Sequence, residues 1–160
     1  MEKEVYILIG AIIGASLTIA GAWGMWNIQI GYENTNLAHG IYKDLEQSNA
    51  TICLYADLFH NSKNFGVPEE SFYYDYRLSP TALELSRFPP KISNVLYEYY
   101  YNLARAESIR LRLTDPNSWE RNNPELFTKA HDEMKRDIIN CCEEIQPIKV
   151  LINKNYPIDP

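Results

Sequence analysis

Uncharged, mostly apolar residues occupy positions 5 to 30 without interruption. As an α-helix this run of 26 residues extends about 39 Å, enough to cross the roughly 30 Å hydrocarbon core of a bilayer. Tyr6 near one end, and Trp23 and Trp26 near the other, match the aromatic residues that line membrane interfaces. The pattern predicts a single transmembrane helix within residues 1–32.

A cleaved signal peptide is the alternative, with a cleavage site at Ala20-Gly21-Ala22. The four residues before the run are not positively charged, and apolar residues continue past this site to Ile30. Both features favour a retained anchor. Lys3 lies before the run, and the next cation after it is Lys43, so the positive-inside rule favours a domain outside the cytoplasm. The predicted localisation is therefore the cell membrane, single-pass.

Beyond the anchor, apolar residues recur every three or four positions in three long stretches, as in amphipathic helices. We expect helices at about 34–61 and 90–113, and a third that begins after Asn123 and Pro124. A short helix is expected at 81–87, and the segment before it is an aromatic loop. The apolar stripes are Leu37, Ile41, Leu45, Ile52, Tyr55 and Phe59, then Ile92, Leu96, Tyr99, Leu103, Ala106 and Leu113, then Phe127, Met134, Ile138, Cys141, Ile145, Ile148 and Ile152.

No alternating strand pattern is found in the sequence. The predicted fold class is therefore all-α, with a single N-terminal transmembrane helix followed by an antiparallel three-helix bundle with an aromatic loop and a short extra helix. The predicted domains are a transmembrane anchor at 1–32 and a soluble helical-bundle domain at 33–160.

Two segments resemble a group of prokaryotic proteins that have one N-terminal membrane helix, a small helical domain and no assigned activity. The stretch Ala38-His39-Gly40-Ile41-Tyr42-Lys43-Asp44-Leu45-Glu46 is similar to their small-x-x-Leu-Tyr-x-Glu-Ile-Glu opening, with Asp44 in place of the usual Glu. The later residues Leu83-x-Leu85, Phe88-Pro89-Pro90-Lys91-Ile92 and Leu96-Tyr97-Glu98-Tyr99-Tyr100 are similar to their Leu-Pro and Ile-Tyr-x-Phe-Tyr block. The resemblance implies this architecture and assigns no functional residues.

Charge and cysteine spacing limit the chemistry of the domain. The net charge of −6 argues against a nucleic-acid partner, because binding phosphates requires clustered Lys and Arg. The cysteines Cys53, Cys141 and Cys142 form no CxxC pair, which excludes the usual zinc and thioredoxin-like motifs. We interpret them as core residues, with a bond from Cys53 to either of the other two as the alternative in an oxidising environment.

The histidines His39, His60 and His131 form no recognisable metal or catalytic motif. Asp57 and His60 share a helix face, but no second such pair completes a di-iron set. The sequence thus predicts no catalytic, metal-binding or cofactor-binding residues and no cofactor, and we expect a protein that is not an enzyme.

Two features indicate protein partners instead. Tyr97, Tyr99, Tyr100 and Tyr101 go round a whole helix turn, so one bundle face cannot bury all four. The candidates for a partner surface are Tyr73, Tyr74, Tyr76, Tyr97, Tyr100 and Tyr101. Intramolecular packing is the alternative use of these rings. Five glycines fall on a single repeat of 3.5 residues, which predicts a packing face for a second copy or another protein. They are Gly10, Gly14, Gly21, Gly24 and Gly31.

The leading hypothesis is a membrane-anchored, non-enzymatic interaction module, either an accessory subunit of a membrane complex or a small homo-oligomer. Its expected partners are the lipid bilayer and a protein bound through the transmembrane helix. The alternative hypothesis is a membrane-tethered, ligand-sensing helical domain with its pocket in the bundle core or the aromatic loop. A membrane-bound metalloenzyme ranks third.

Overall fold

The computed structural model describes residues 2–62, 65–72 and 80–158, with side chains from residue 16 onward. All regular secondary structure in these residues is α-helical, which confirms the all-α class. The helices are α1 (Glu2–Asn61), α2 (Ala82–Leu85), α3 (Pro90–Thr114), α4 (Trp119–Asn122) and α5 (Pro124–Asn155). Residues Met1–Asn36 and Leu37–Pro160 form two separate compact units.

Side-chain caps and prolines set the starts of the helices in the second unit. The Asn123 side chain accepts hydrogen bonds from the backbone N–H groups of Glu125 and Leu126, which begins α5 as the sequence predicts. Thr81 and Glu84 form a capping box at α2. α3 begins at Pro90, because the missing N–H of proline costs nothing in the first helical turn. The four-residue α4 lies where a loop was expected.

The core of the second unit is built from the predicted stripes of α1, α3 and α5. All stripe residues are buried except Leu37, Tyr55 and Phe127, which are half-buried. Phe72, Leu85 and Phe88 add side chains from the connection between α1 and α3. The largest fully buried side chains are Tyr99, Phe59, Phe72, Leu45, Ile52, Leu85, Ile92, Leu96, Leu103, Ile109, Met134 and Ile138. These helices therefore share one hydrophobic core.

α5 runs antiparallel to its two long neighbours. Glu46 and Cys53 of α1 contact Lys149 and Cys142, so positions that ascend in α1 meet positions that descend in α5. In the same way, the Tyr99 carbonyl accepts from the Cys141 thiol, and Arg105 binds Asp137.

α1 and α3 run in the same direction, unlike successive helices in an up-and-down antiparallel bundle. Tyr100, in the middle of α3, donates a hydrogen bond to Asp44 of α1. Glu107, about two turns further along α3, accepts one from the Phe72 N–H, and the Phe72 ring packs on Tyr55, which is further along α1. Parallel neighbours require a connection that returns along the bundle. The 28 residues between Asn61 and Pro90 are long enough to follow α3, whose 25 residues extend about 37 Å.

The predicted membrane span requires correction. No helix in the described residues is long and apolar enough to cross a membrane. On this finding, the predicted single-pass membrane localisation is wrong. From residue 16 onward, the apolar side chains of α1 are interrupted by Thr18, Asn27 and Gln29 and followed by Glu33. Residues 5–15, the first part of the predicted span, lie outside the residues whose side chains are described.

Candidate functional site

The part of α1 in the first compact unit carries an unusual density of exposed apolar side chains. Eight large residues between positions 17 and 32 are 36 to 74% exposed. They are Leu17, Ile19, Trp23, Met25, Trp26, Ile28, Ile30 and Tyr32. We call residues 16–32 the apolar segment of α1. A helix that is apolar on every side is normally covered, so this segment is a candidate binding surface.

Three of the five predicted packing glycines lie in the apolar segment of α1. A methyl group added at Gly21, Gly24 or Gly31 would meet no atom of the protein within 4 Å. These positions are therefore open to an approaching backbone. Gly10 and Gly14 lie outside the residues whose side chains are described, and the packing face itself remains a prediction.

The tyrosines proposed as a partner surface separate into different environments. Tyr100 is buried, so it contributes to the core rather than to an exposed surface. Tyr97 is partly exposed, and its hydroxyl donates to the Ala82 carbonyl of α2. Tyr101 is 64% exposed, with the Arg105 guanidinium 5.6 Å from its ring centre. Partner binding by Tyr97 and Tyr101 remains a prediction, and Tyr73, Tyr74 and Tyr76 lie outside the described residues.

An ion pair between the exposed Arg105 and a buried carboxylate joins α3 to α5. The Arg105 Nε atom donates a 2.6 Å hydrogen bond to Asp137 Oδ2, and a second hydrogen bond joins Nη2 to Oδ1. Asp137 is fully buried. The hydrogen bonds donated to Asp137 raise the pKa of the Arg105 guanidinium above its usual range. Such a bidentate pair fixes the register of two helices, and its role is structural.

A second polar network attaches residues 65–72 to α3. Arg110 donates to both Glu107 oxygens, at 2.9 and 2.7 Å, and to the Glu69 carbonyl at 2.7 Å. The Phe72 N–H donates to Glu107 Oε2 at 3.1 Å. Burial alone would raise the pKa of Glu107, but the hydrogen bonds from Arg110 and Phe72 bring it below the ordinary value. The sequence did not predict this network, because Glu69 and Phe72 approach Glu107 and Arg110 only in the folded chain.

The histidines lie apart. His39 and His60 are exposed, as is Asp57 beside His60. The His131 ring is stacked on Phe127, with 6.0 Å between ring centres, and makes an edge-to-face contact with Phe59 at 5.7 Å. Among the described residues, no three His, Cys, Asp or Glu side chains converge as metal ligands would.

The cysteines form one disulfide and one free thiol. Cys53 of α1 is bonded to Cys142 of α5, with 5.0 Å between their Cα atoms, so the pairing left open by the sequence goes to Cys142. Cys141 is free and buried. Burial raises the pKa of its thiol well above the usual range, so it is not a reactive nucleophile.

Two cavities in the described part of the chain are candidates for binding a small molecule. One of about 430 Å³ lies among Val67, Glu69, Leu113, Thr114, Arg121 and Phe127. Another of about 160 Å³ adjoins the disulfide. Neither contains the paired acid and base groups of a catalytic centre with a positioned nucleophile. The exposed apolar segment of α1 is therefore the most distinctive surface of the protein. Comparisons with protein-family models, with curated proteins and with solved structures give no match to this chain.

Proposed function

We propose that this protein is a non-enzymatic interaction module that self-associates through the apolar segment of α1. The observation that supports this proposal is the set of eight exposed large apolar side chains between positions 17 and 32. A large contiguous patch of exposed apolar side chains usually marks an interaction surface. The helical bundle that follows is the domain that such an assembly would bring together.

A second copy of the same helix suits this segment chemically. Residues 16–32 carry no charged side chain, so two copies do not repel each other there. Covering four of the large side chains would contribute roughly 6–12 kcal/mol from the hydrophobic effect. That is comparable to the estimated cost of lost freedom on association, about 4–15 kcal/mol. Association is therefore favourable only if the two helices pack closely.

Close packing is what the glycine repeat offers. Gly21 and Gly24 lie on the same side of α1 at a spacing of three residues, and neither has a neighbour within 4 Å of an added Cβ. Without side chains there, two helix backbones can approach and increase their dispersion contacts. The repeat of 3.5 residues keeps this side facing the partner in a left-handed pair.

The test is the oligomeric state of the full chain, measured by sedimentation and native mass spectrometry. We expect Gly21→Ile and Gly24→Ile each to weaken self-association at least tenfold. Because an added side chain at these positions meets no atom of its own protomer, the bundle should keep its helical signal and melting temperature. Ala22→Ile adds the same side chain about 100° around the helix from Gly21, so it is the matched control.

Three results would contradict the proposal. One is a wild-type chain that stays monomeric at tens of micromolar. Another is equal weakening by Ala22→Ile and Gly21→Ile, which would remove the special role of the glycine side. The third is that the chain binds lipid vesicles or a different protein through the apolar segment of α1 and shows no self-association.

Ligand sensing is a second candidate, supported by the cavity of about 430 Å³ at the end of α3, which falls within the size range of small-molecule sites. The Arg121 guanidinium lies on it but already donates to the Thr114 carbonyl. A fragment screen by NMR would favour this candidate if hits shift Val67, Leu113 and Phe127 together. The absence of hits there would remove it.

A further inference from the structure

A small cavity lies between α1 and α5, and its wall includes Cys142, one of the two residues of the disulfide. On α1, Cys53, Asp57 and His60 are spaced by four and three residues, so they share one face of the helix. On α5, Cys142 and Glu143 face them. The cavity has a volume of about 160 Å³ and is lined by Ala56, Asp57, His60, Ile139, Cys142 and Glu143. It can admit only a molecule of a few non-hydrogen atoms.

The polar lining of this cavity is acidic. Asp57 and Glu143 are both exposed, and neither forms an ion pair with a described residue. His60 is the remaining titratable group on the wall. These two carboxylates attract cations and repel anions. The charge of a small molecule therefore determines how readily it enters the cavity.

Cys142, rather than Cys53, lines the cavity, although the two form a single bond between α1 and α5. A nucleophile that enters the cavity therefore reaches Cys142 before Cys53. Cys141 cannot compete for the same bond from inside, because its thiol is buried. An outside thiol is thus the group that could react here.

We propose that this cavity is a thiol-exchange site at which a small thiol bearing an ammonium group attacks Cys142 Sγ. The ammonium pairs with Asp57 and Glu143 while the thiolate forms a new S–S bond to Cys142. The bond between Cys142 and Cys53 breaks, its electron pair leaves on Cys53 Sγ, and that sulfur takes up the proton lost by the incoming thiol. The incoming sulfur is oxidised and the Cys53 sulfur reduced, so no further oxidant or reductant is needed.

The product is a mixed disulfide at Cys142 and a free thiol at Cys53. The covalent link between α1 and α5 is then open, while Ile52, Ala56 and Phe59 keep their places in the core. Exchange is therefore compatible with a folded bundle. A second thiol, or the Cys53 thiolate itself, restores the starting disulfide.

The experiment compares three thiols on the folded, oxidised full chain: cysteamine, 2-mercaptoethanol and 2-mercaptoethanesulfonate, which are cationic, neutral and anionic. Reactions are quenched by alkylation, and peptide mass spectrometry locates the thiol adduct. Each rate is divided by the rate of the same thiol on a short uncharged disulfide peptide, which removes differences in thiolate content. We expect cysteamine to exceed the sulfonate by about three- to tenfold, since two exposed carboxylates act on the charge. The adduct should be on Cys142 and the alkyl group on Cys53.

Charge-removing variants test the role of the wall. Asp57→Asn combined with Glu143→Gln should bring the normalised ratio close to one, while Asp132→Asn, exposed elsewhere on α5, should leave it unchanged. All three positions are on the surface, so the variants should fold. The proposal is overturned by a ratio near one in the wild type, by adducts mainly on Cys53, by reaction rates independent of thiol concentration, or by a chain whose three cysteines are all free.

Discussion

The Tyr100 hydroxyl donates a 2.8 Å hydrogen bond to Asp44 Oδ2 inside the core, joining α3 to α1. Both side chains are buried, at 8 and 7% exposure. A buried carboxylate is costly unless hydrogen-bonded, so this tyrosine is held in place by its polar end as well as its ring. The contact also fixes which ends of α1 and α3 lie together.

Removing the Tyr100 hydroxyl should destabilise the bundle. Tyr100→Phe leaves Asp44 without this donor, and we expect a loss of about 1.5–3 kcal/mol in the free energy of unfolding. Tyr101→Phe, one position further on an exposed ring, should change it by about 0.5 kcal/mol or less. Urea titration followed by circular dichroism measures both. Equal effects from the two variants would show that the Asp44 contact does not form.

Two ion pairs formed by arginines of α3 should contribute very differently to the free energy of unfolding. Arg110→Met removes the partner of a largely buried Glu107 and the donor to the Glu69 carbonyl, and we expect a loss of about 2–3 kcal/mol. Arg112→Met breaks an exposed pair with Glu120 and should cost less than about 1 kcal/mol. Chemical denaturation of the two variants provides the comparison. A loss for Arg112→Met as large as that for Arg110→Met would be inconsistent with the burial difference.

The lowered pKa of Glu107 predicts how the stability of the fold depends on pH. Its pKa is lower in the folded protein than in the unfolded chain, so its contribution is present above the unfolded pKa and is lost as the pH falls through the folded pKa. Glu107→Gln should therefore lower the melting temperature at pH 7 and have progressively less effect towards pH 3. A constant effect across this range would indicate that the carboxylate charge is irrelevant.

For Glu144 we expect stability to depend on pH in the opposite direction from Glu107. Burial raises the pKa of this carboxyl, and the nearby charges of Glu98 and Glu143 add to the effect. The folded state then holds the proton more tightly than the unfolded chain, so stability increases as the pH falls through this window. Because the side chain is half-buried and solvent screens part of the effect, Glu144→Gln should stabilise by only about 0.5 kcal/mol at pH 7, and less near pH 4. Asp132→Asn is the control, and destabilisation by Glu144→Gln at pH 7 would refute the assignment.

Local patterns in the sequence were sufficient to identify the long helices and their buried faces. The isoleucines of α5, at positions 138, 145, 148 and 152, are each no more than 2% exposed, as their spacing of three, four and seven residues predicts. Asn123 caps the helix it was expected to cap. These features depend on residues within a few turns of one another, and so they are visible in a single sequence.

Long-range features were not predictable in this way. The shared direction of α1 and α3 is seen only in long-range contacts: Tyr100 reaches Asp44, and Phe72 links Tyr55 to Glu107 further along both helices. Neither contact leaves a periodic signal. The membrane span was predicted from the length of the uncharged run, whereas α1 from residue 16 onward contains Thr18, Asn27 and Gln29, and no helix in the described residues is long and apolar enough to cross a membrane. The burial of Tyr100 was missed since four neighbouring tyrosines look alike until the partners of each are known.

The disulfide between Cys53 and Cys142 has a consequence for proteolysis. The bond closes a loop that contains α2, α3 and α4 and the whole connection from α1. A single peptide cleavage anywhere in that connection would therefore leave two fragments still joined by the bond and by the shared core. Such a nicked chain would migrate as one species without reductant and as two with it. Cleavage before Cys53 or after Cys142, in contrast, would release its fragment from the covalent framework.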